Sequence, residues 1–108
     1  MKQPNAYQPF LISSMKKDHT ITLSDLKWTT FEENDFLGDG EDWGLVLTNM
    51  LTEKSPELLS KITFGKETLS FCIHSEDKEV LRKIAEMVAS FYENKAELTA
   101  NIKRYAIY

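Results

Sequence analysis

Apolar and polar positions fall into legible blocks along the chain, and each block predicts an element. Phe10-Leu11-Ile12-Ser13-Ser14 is a short apolar run, and Thr20-Ile21-Thr22-Leu23-Ser24 alternates with period two. The polar stretch Met15-Lys16-Lys17-Asp18-His19 connects them. This reads as strand, turn, strand: an antiparallel hairpin with Ile21 and Leu23 turned inward. From Asp25 to Gly40 no clean period exists. Thr29, Thr30 and Phe31 can extend a strand there. Leu37-Gly38-Asp39-Gly40 carries turn chemistry, because glycine adopts backbone angles that other residues avoid.

Between Asp42 and Leu51 the apolar residues are Trp43, Val46, Leu47, Met50 and Leu51. The spacing i, i+3, i+4, i+7, i+8 is the stripe of a core-facing helix. Glu41 and Asp42 sit at its start, where the helix dipole favours negative charge. Ser55-Pro56-Glu57, ahead of Leu58 and Leu59, reads as an N-cap, a first-turn proline and a first-turn acid, so a short helix or turn follows. Ile62 and Phe64, then Leu69, Phe71 and Ile73, alternate around Gly65-Lys66-Glu67. This predicts a second hairpin with Cys72 and His74 on its opposite face. Ser75-Glu76-Asp77 opens the clearest helix, carrying Val80, Leu81, Ile84, Met87, Val88 and Phe91. Asn94 ends or bends it, and Leu98, Ile102 and Tyr105 mark a last helix. The order ββ–α–ββ–αα predicts an α+β fold, with an antiparallel sheet built from two hairpins and helices packed on one face.

The chain has 108 residues, 42% of them hydrophobic and 28% charged. One globular domain over residues 1–108 is the expectation. No apolar run is long enough to span a membrane, and the stretch from Met1 to Tyr7 lacks a signal-peptide core. The single cysteine, Cys72, makes no internal disulfide. A cytoplasmic location is therefore expected.

The net charge is −4, but it is unevenly placed. Residues 28–57 hold eight acids against one base, Lys54, a net −7, and the rest of the chain is net +3. Between Trp28 and Trp43 there are six acids and no base, interleaved with Trp28, Phe31, Phe36 and Trp43. Such a field repels nucleic acid and attracts basic partners.

Catalytic and metal chemistry find little support. Cys72 and His74 share a strand face, but Cβ atoms two apart on a strand lie about 7 Å from each other, too far for a ready hydrogen bond. One cysteine with two histidines, His19 and His74, gives no zinc spacing. Aligned to a calcium loop from Asp35, the sequence places Leu37 and Val46 where oxygen ligands are required. The four glycines form no phosphate-binding loop. No enzyme activity, metal or cofactor is expected.

The acidic–aromatic segment has two readings. In one, Trp43 and Phe36 belong to the core and the acids form a solvated rim. In the other, acids steer a basic partner and aromatics anchor it. The candidate partner-binding residues are Trp28, Glu32, Glu33, Asp35, Phe36, Asp39, Glu41 and Asp42.

Tyr7-Gln8-Pro9-Phe10, Ile21-Thr22-Leu23-Ser24-Asp25, Gly38-Asp39-Gly40-Glu41-Asp42-Trp43-Gly44-Leu45-Val46, the run from Pro56 to Phe64, and the run from Phe71 to Glu79 together resemble bacterial polymorphic-toxin immunity proteins. More narrowly, the sequence is similar to the Immunity protein fifty-one family, from about Tyr7 to Ile102. It departs from that pattern at Gly65-Lys66-Glu67, where an Asp-Pro-Glu turn is usual, and at Asp42 and His74, where the family tends to an aromatic residue. The resemblance implies a small cytoplasmic α+β protein that binds a cognate toxin domain and blocks it stoichiometrically. The acidic segment suits a basic toxin such as a nuclease, neutralised by occlusion of its active site or by mimicry of phosphates through Glu32, Glu33, Asp35, Asp39, Glu41 and Asp42. The alternative is a small adaptor or regulatory domain that binds another basic protein.

Overall fold

A computed structural model describes residues 7–65 and 69–106. Two strands, β1 (Leu11–Met15) and β2 (Asp18–Leu23), form the first hairpin around Lys16 and Lys17. Two helices follow, α1 (Trp28–Glu32) and α2 (Gly40–Lys54), and then a single turn, α3 (Pro56–Leu59). A short strand β3 (Thr63–Phe64) pairs with β4 (Phe71–Ser75), and α4 (Lys78–Tyr92) and α5 (Lys95–Tyr105) complete the order. All strand pairs are antiparallel, and the sheet order is β1-β2-β4-β3. The two hairpins therefore meet through β2 and β4, in register Ile21 to Ile73 and Leu23 to Phe71. The α+β architecture expected from the pattern is present.

Period-two alternation decides which face is covered. Ile21, Leu23, Phe71 and Ile73 are buried beneath the helices. Thr20, Thr22, Cys72 and His74 occupy the opposite face, where Thr20 Oγ1 lies 2.7 Å from His74 Nδ1 and Thr22 Oγ1 3.5 Å from Cys72 Sγ. Each potential catalytic group is thus engaged with a β2 threonine across the strands. The helix stripes behave as expected. Trp43, Val46, Leu47, Met50 and Leu51 of α2, Val80, Leu81, Ile84, Val88 and Phe91 of α4, and Leu98, Ile102 and Tyr105 of α5 are buried. Asp77 and Asn94 cap α4 and α5 by accepting from the amides of Glu79 and Glu97. Ser55 stands at the N-cap of α3 without a side-chain bond.

Two expectations are corrected. Thr29, Thr30 and Phe31 lie in a helix rather than an extended strand. Lys27 takes a left-handed conformation (φ 54) and turns the chain, and the helix drives Phe31 into the core, 5.4 Å from the Trp43 ring. The second hairpin is also shorter than its alternation suggests. The amide of Ile62 is still bonded back to Leu59, so pairing begins only at Thr63. Leu69, expected inward, lies outside β4 and is 90% exposed. The turn at Lys66 and Glu67 falls outside the described residues.

Trp43 is the centre of the core. Its ring stacks on Phe71 at 6.2 Å and meets Phe31 and Tyr92 at 5.4 and 6.3 Å. Its indole N–H donates to the Leu26 carbonyl at 2.7 Å. The Tyr92 hydroxyl donates to the neighbouring carbonyl, that of Asp25. Burial, and after it the charges of Asp25 and Glu93, pushes the Tyr92 phenol up to about 12. The folded protein therefore keeps a proton that the unfolded chain releases near its ordinary value of 10.0. Stability is expected to be undiminished by this group below pH 10 and to fall as the pH rises from 10 towards 12. Tyr92→Phe should lessen that fall and leave the part due to Tyr105, whose phenol burial also pushes up. Thermal unfolding at stepped pH, with the phenolate absorbance followed in parallel, checks both expectations.

Candidate functional site

The segment between β2 and α2 is held from both ends by the backbone. On one side, Trp43 and Tyr92 fix the carbonyls of Leu26 and Asp25, which sets the entry to α1. On the other, Asp42 accepts the Gly38 amide at 2.7 Å, and Asp39 accepts the Asp42 amide at 3.0 Å as the N-cap of α2. One orphan donor of the helix and one amide of the turn before it are thereby satisfied by two acids. Between these anchors, α1 closes on Asp35, which is left-handed at φ 68. The Phe36 amide returns to the Phe31 carbonyl and the Asp35 amide to that of Glu32, a Schellman closure that Asp tolerates better than most residues.

Gly38 brings the two halves together. Its φ is 79, and a Cβ built on it would lie 2.7 Å from the Trp28 Cα and 2.9 Å from the Trp28 and Phe31 Cβ atoms. Neither the backbone angle nor the space admits a side chain. Trp28 is thus pressed against bare backbone, yet its side chain remains 56% exposed.

These constraints separate the sequence-predicted residues. Trp28, Glu32, Glu33, Asp35 and Glu41 are exposed. Glu33 has an ion pair with Lys95 at 3.1 Å. Phe36 is half-buried against the core, and Asp39 is half-buried at its cap. Asp42 is buried, its carboxylate engaged with Gly38. Trp43, for which core and surface readings both stood open, is core. Among the described residues no group of three or more His, Cys, Asp or Glu is placed to hold a metal ion.

The fold also brings together residues whose role the linear pattern did not announce. A groove of about 380 Å³ is lined by Ser24, Asp25, Leu26, Trp28, Leu37, Gly38, Asp39 and Leu69. Leu37 read only as part of a turn and Leu69 as an inward strand residue. Their apolar character, in stretches that turn, was the one signal of exposure available. A neighbouring hollow of about 630 Å³ shares Ser24 and Asp25 and runs over Phe10, Leu11 and Tyr92. Phe10 and Tyr92 are buried core residues, so that hollow offers no exposed aromatic anchor.

Residues 10–107 match the family described as Immunity protein 51. The chain belongs to that family. Comparison with curated proteins and with solved structures gives no match. Family membership implies a protein partner. Among the described residues no helix is long and apolar enough to cross a membrane.

Gly38→Ala should destabilise the protein by about 1–3 kcal/mol, through strain at a positive φ and a clash with the Trp28 backbone. Asp42→Ala, which strips the buried Gly38 amide of its acceptor, should cost about 1–3 kcal/mol. Asp42→Asn keeps an acceptor oxygen and should cost less. Denaturant unfolding of the three variants gives this order or contradicts it.

Proposed function

We propose that the protein is an immunity protein that binds a cognate bacterial toxin domain in the cytoplasm and neutralises it by covering its active site, without catalysis of its own. The observation that carries this reading is family membership over residues 10–107. The charge distribution supports a basic toxin, such as a nuclease: residues 28–57 are net −7, and Glu32, Asp35 and Glu41 are exposed within that stretch. Acids on a rim accelerate encounter with a basic partner, and aromatics provide the desolvated anchor. Trp28 and the half-buried Phe36 are the anchors in this reading. Glu32, Glu33, Asp35 and Glu41 steer, and Asp39 contributes charge while capping α2. Asp42 is left out of the surface because its carboxylate is spent inside the turn.

The test combines Glu32→Lys, Glu33→Lys and Asp35→Asn in one variant. Asparagine at 35 removes the charge but keeps a residue suited to the left-handed backbone. Losing the exposed Glu33–Lys95 pair costs at most about 1 kcal/mol, so folding should persist. Capture from the native host with the unaltered protein identifies the partner. A basic fragment of a secreted toxin is expected. Against that fragment the variant should associate roughly 10- to 100-fold more slowly at low salt and lose protection of a toxin-expressing cell. Unchanged association and protection would remove the acidic surface from the interface. Capture of a cytoplasmic protein in place of a toxin would overturn the reading.

A further inference from the structure

The described residues include five exposed large hydrophobic side chains: Leu11, Met15, Trp28, Leu37 and Leu69. Three of them, Trp28, Leu37 and Leu69, line one groove, although they come from α1, the turn before α2 and the approach to β4. Apolar groups gathered from three separate places in a chain mark a contact surface, whereas scattered single exposures do not. The groove also carries two carboxylates, Asp25 and Asp39. Asp25 is 70% exposed at its side chain and shares Lys27 with Glu93, each at 3.8 Å, while the same Lys27 lies 4.6 Å from the Tyr92 ring centroid. Asp39 uses one oxygen, Oδ1, in its capping bond.

An exposed indole, aliphatic side chains and two carboxylates lining one groove are the complement of one side chain in particular. A guanidinium stacks flat on an indole and is weakly hydrated, and its fork can meet a carboxylate at its edge. Its methylene stem covers apolar surface while its head stays at the rim. A lysine ammonium matches the charge but not the plane. The receptor is also prepared in advance. Trp28 is seated on Gly38, where no side chain fits, and the loop on either side is pinned by the buried Trp43 and Asp42. Little ordering cost remains to be met on binding.

We propose that this groove is the receptor for a single arginine side chain of a basic protein partner, with the guanidinium over Trp28 between Asp25 and Asp39 and the stem along Leu37 and Leu69. The proposal rests on the toxin-binding reading for the identity of the partner. The arginine site itself is read without any toxin.

The experiment titrates the full chain with three blocked tripeptides, Gly-Xaa-Gly, in which Xaa is arginine, lysine or citrulline. Citrulline keeps the shape of arginine and removes its charge. The readout is the indole N–H resonance of Trp28 in a nitrogen–proton correlation spectrum, with the buried Trp43 as internal reference. Arginine should move the Trp28 signal saturably and leave Trp43 still, and citrulline should bind roughly three- to tenfold more weakly. Lysine should fall between them. The double variant Asp25→Asn, Asp39→Asn keeps the acceptor oxygens used by the backbone, asparagine being as good an N-cap as aspartate. It should weaken arginine several-fold and abolish the difference from citrulline. Equal shifts with arginine and citrulline, or an unmoved Trp28 signal, would overturn the arginine site. A responsive groove in a protein whose captured partner is no toxin would support the site and overturn the toxin reading alone. Toxin binding with a silent groove would do the reverse.

Discussion

A buried tryptophan must place its indole N–H on an acceptor, and in this protein that requirement organises everything around it. Trp43 is enclosed by Phe31, Phe71 and Tyr92, and its N–H finds the Leu26 carbonyl. Leu26 lies in the link between the sheet and the first helix, so the bond ties a layer of strands to a layer of helices at one point. Tyr92 repeats the device one residue earlier, from the far end of α4. With Asp25 and Leu26 fixed, α1 begins where Lys27 turns the chain, and its two aromatics part company. Phe31 goes into the core, and Trp28 stays at the surface.

The acidic stretch divides along the same line. Asp39 and Asp42 serve the backbone: one caps α2, and the other holds the Gly38 amide in a turn that no larger residue could make. Glu32, Asp35 and Glu41 leave their carboxylates in solvent. Identical chemistry thus does two jobs within a dozen residues. Burial and the presence of an orphan amide decide which job falls to which residue. At the opposite end of α2, Glu53 meets Arg104 and Tyr105 of α5, and these contacts, Arg104 foremost, hold its carboxyl below the ordinary range. Asn49 donates to the Tyr105 carbonyl close by, so the last helix is moored to α2.

The long elements were legible in the sequence because each presents several turns or pairs to one core. The stripes of α2, α4 and α5 and the alternation of β2 all have a single periodic solution, and the structure adopts it. The short elements were not. α1 spans five residues, too few to show a helical period, and its β-branched Thr29 and Thr30 favour a strand locally. Only the contact of Phe31 with Trp43, twelve positions later, settles it. Leu69 follows the parity of Phe71 and Ile73, but parity carries no information about where pairing stops. The acidic and aromatic side chains were visible as a cluster in the chain. The groove was not, since Asp25, Leu37 and Leu69 reach Trp28 only through tertiary packing. Asp42 shows the converse: its character marked it for the surface, and a single amide drew it inside.

One consequence of Gly38 concerns how such a protein can change over generations. The residues that make the turn, Gly38, Asp42 and Trp43, are buried, whereas Glu32, Leu37, Glu41 and Leu69 are exposed. Substitutions at exposed positions away from caps and strained backbone usually alter stability little. These side chains can therefore drift while folding is held fixed beneath them. A surface that changes in small steps above such a turn leaves a folded protein at each one.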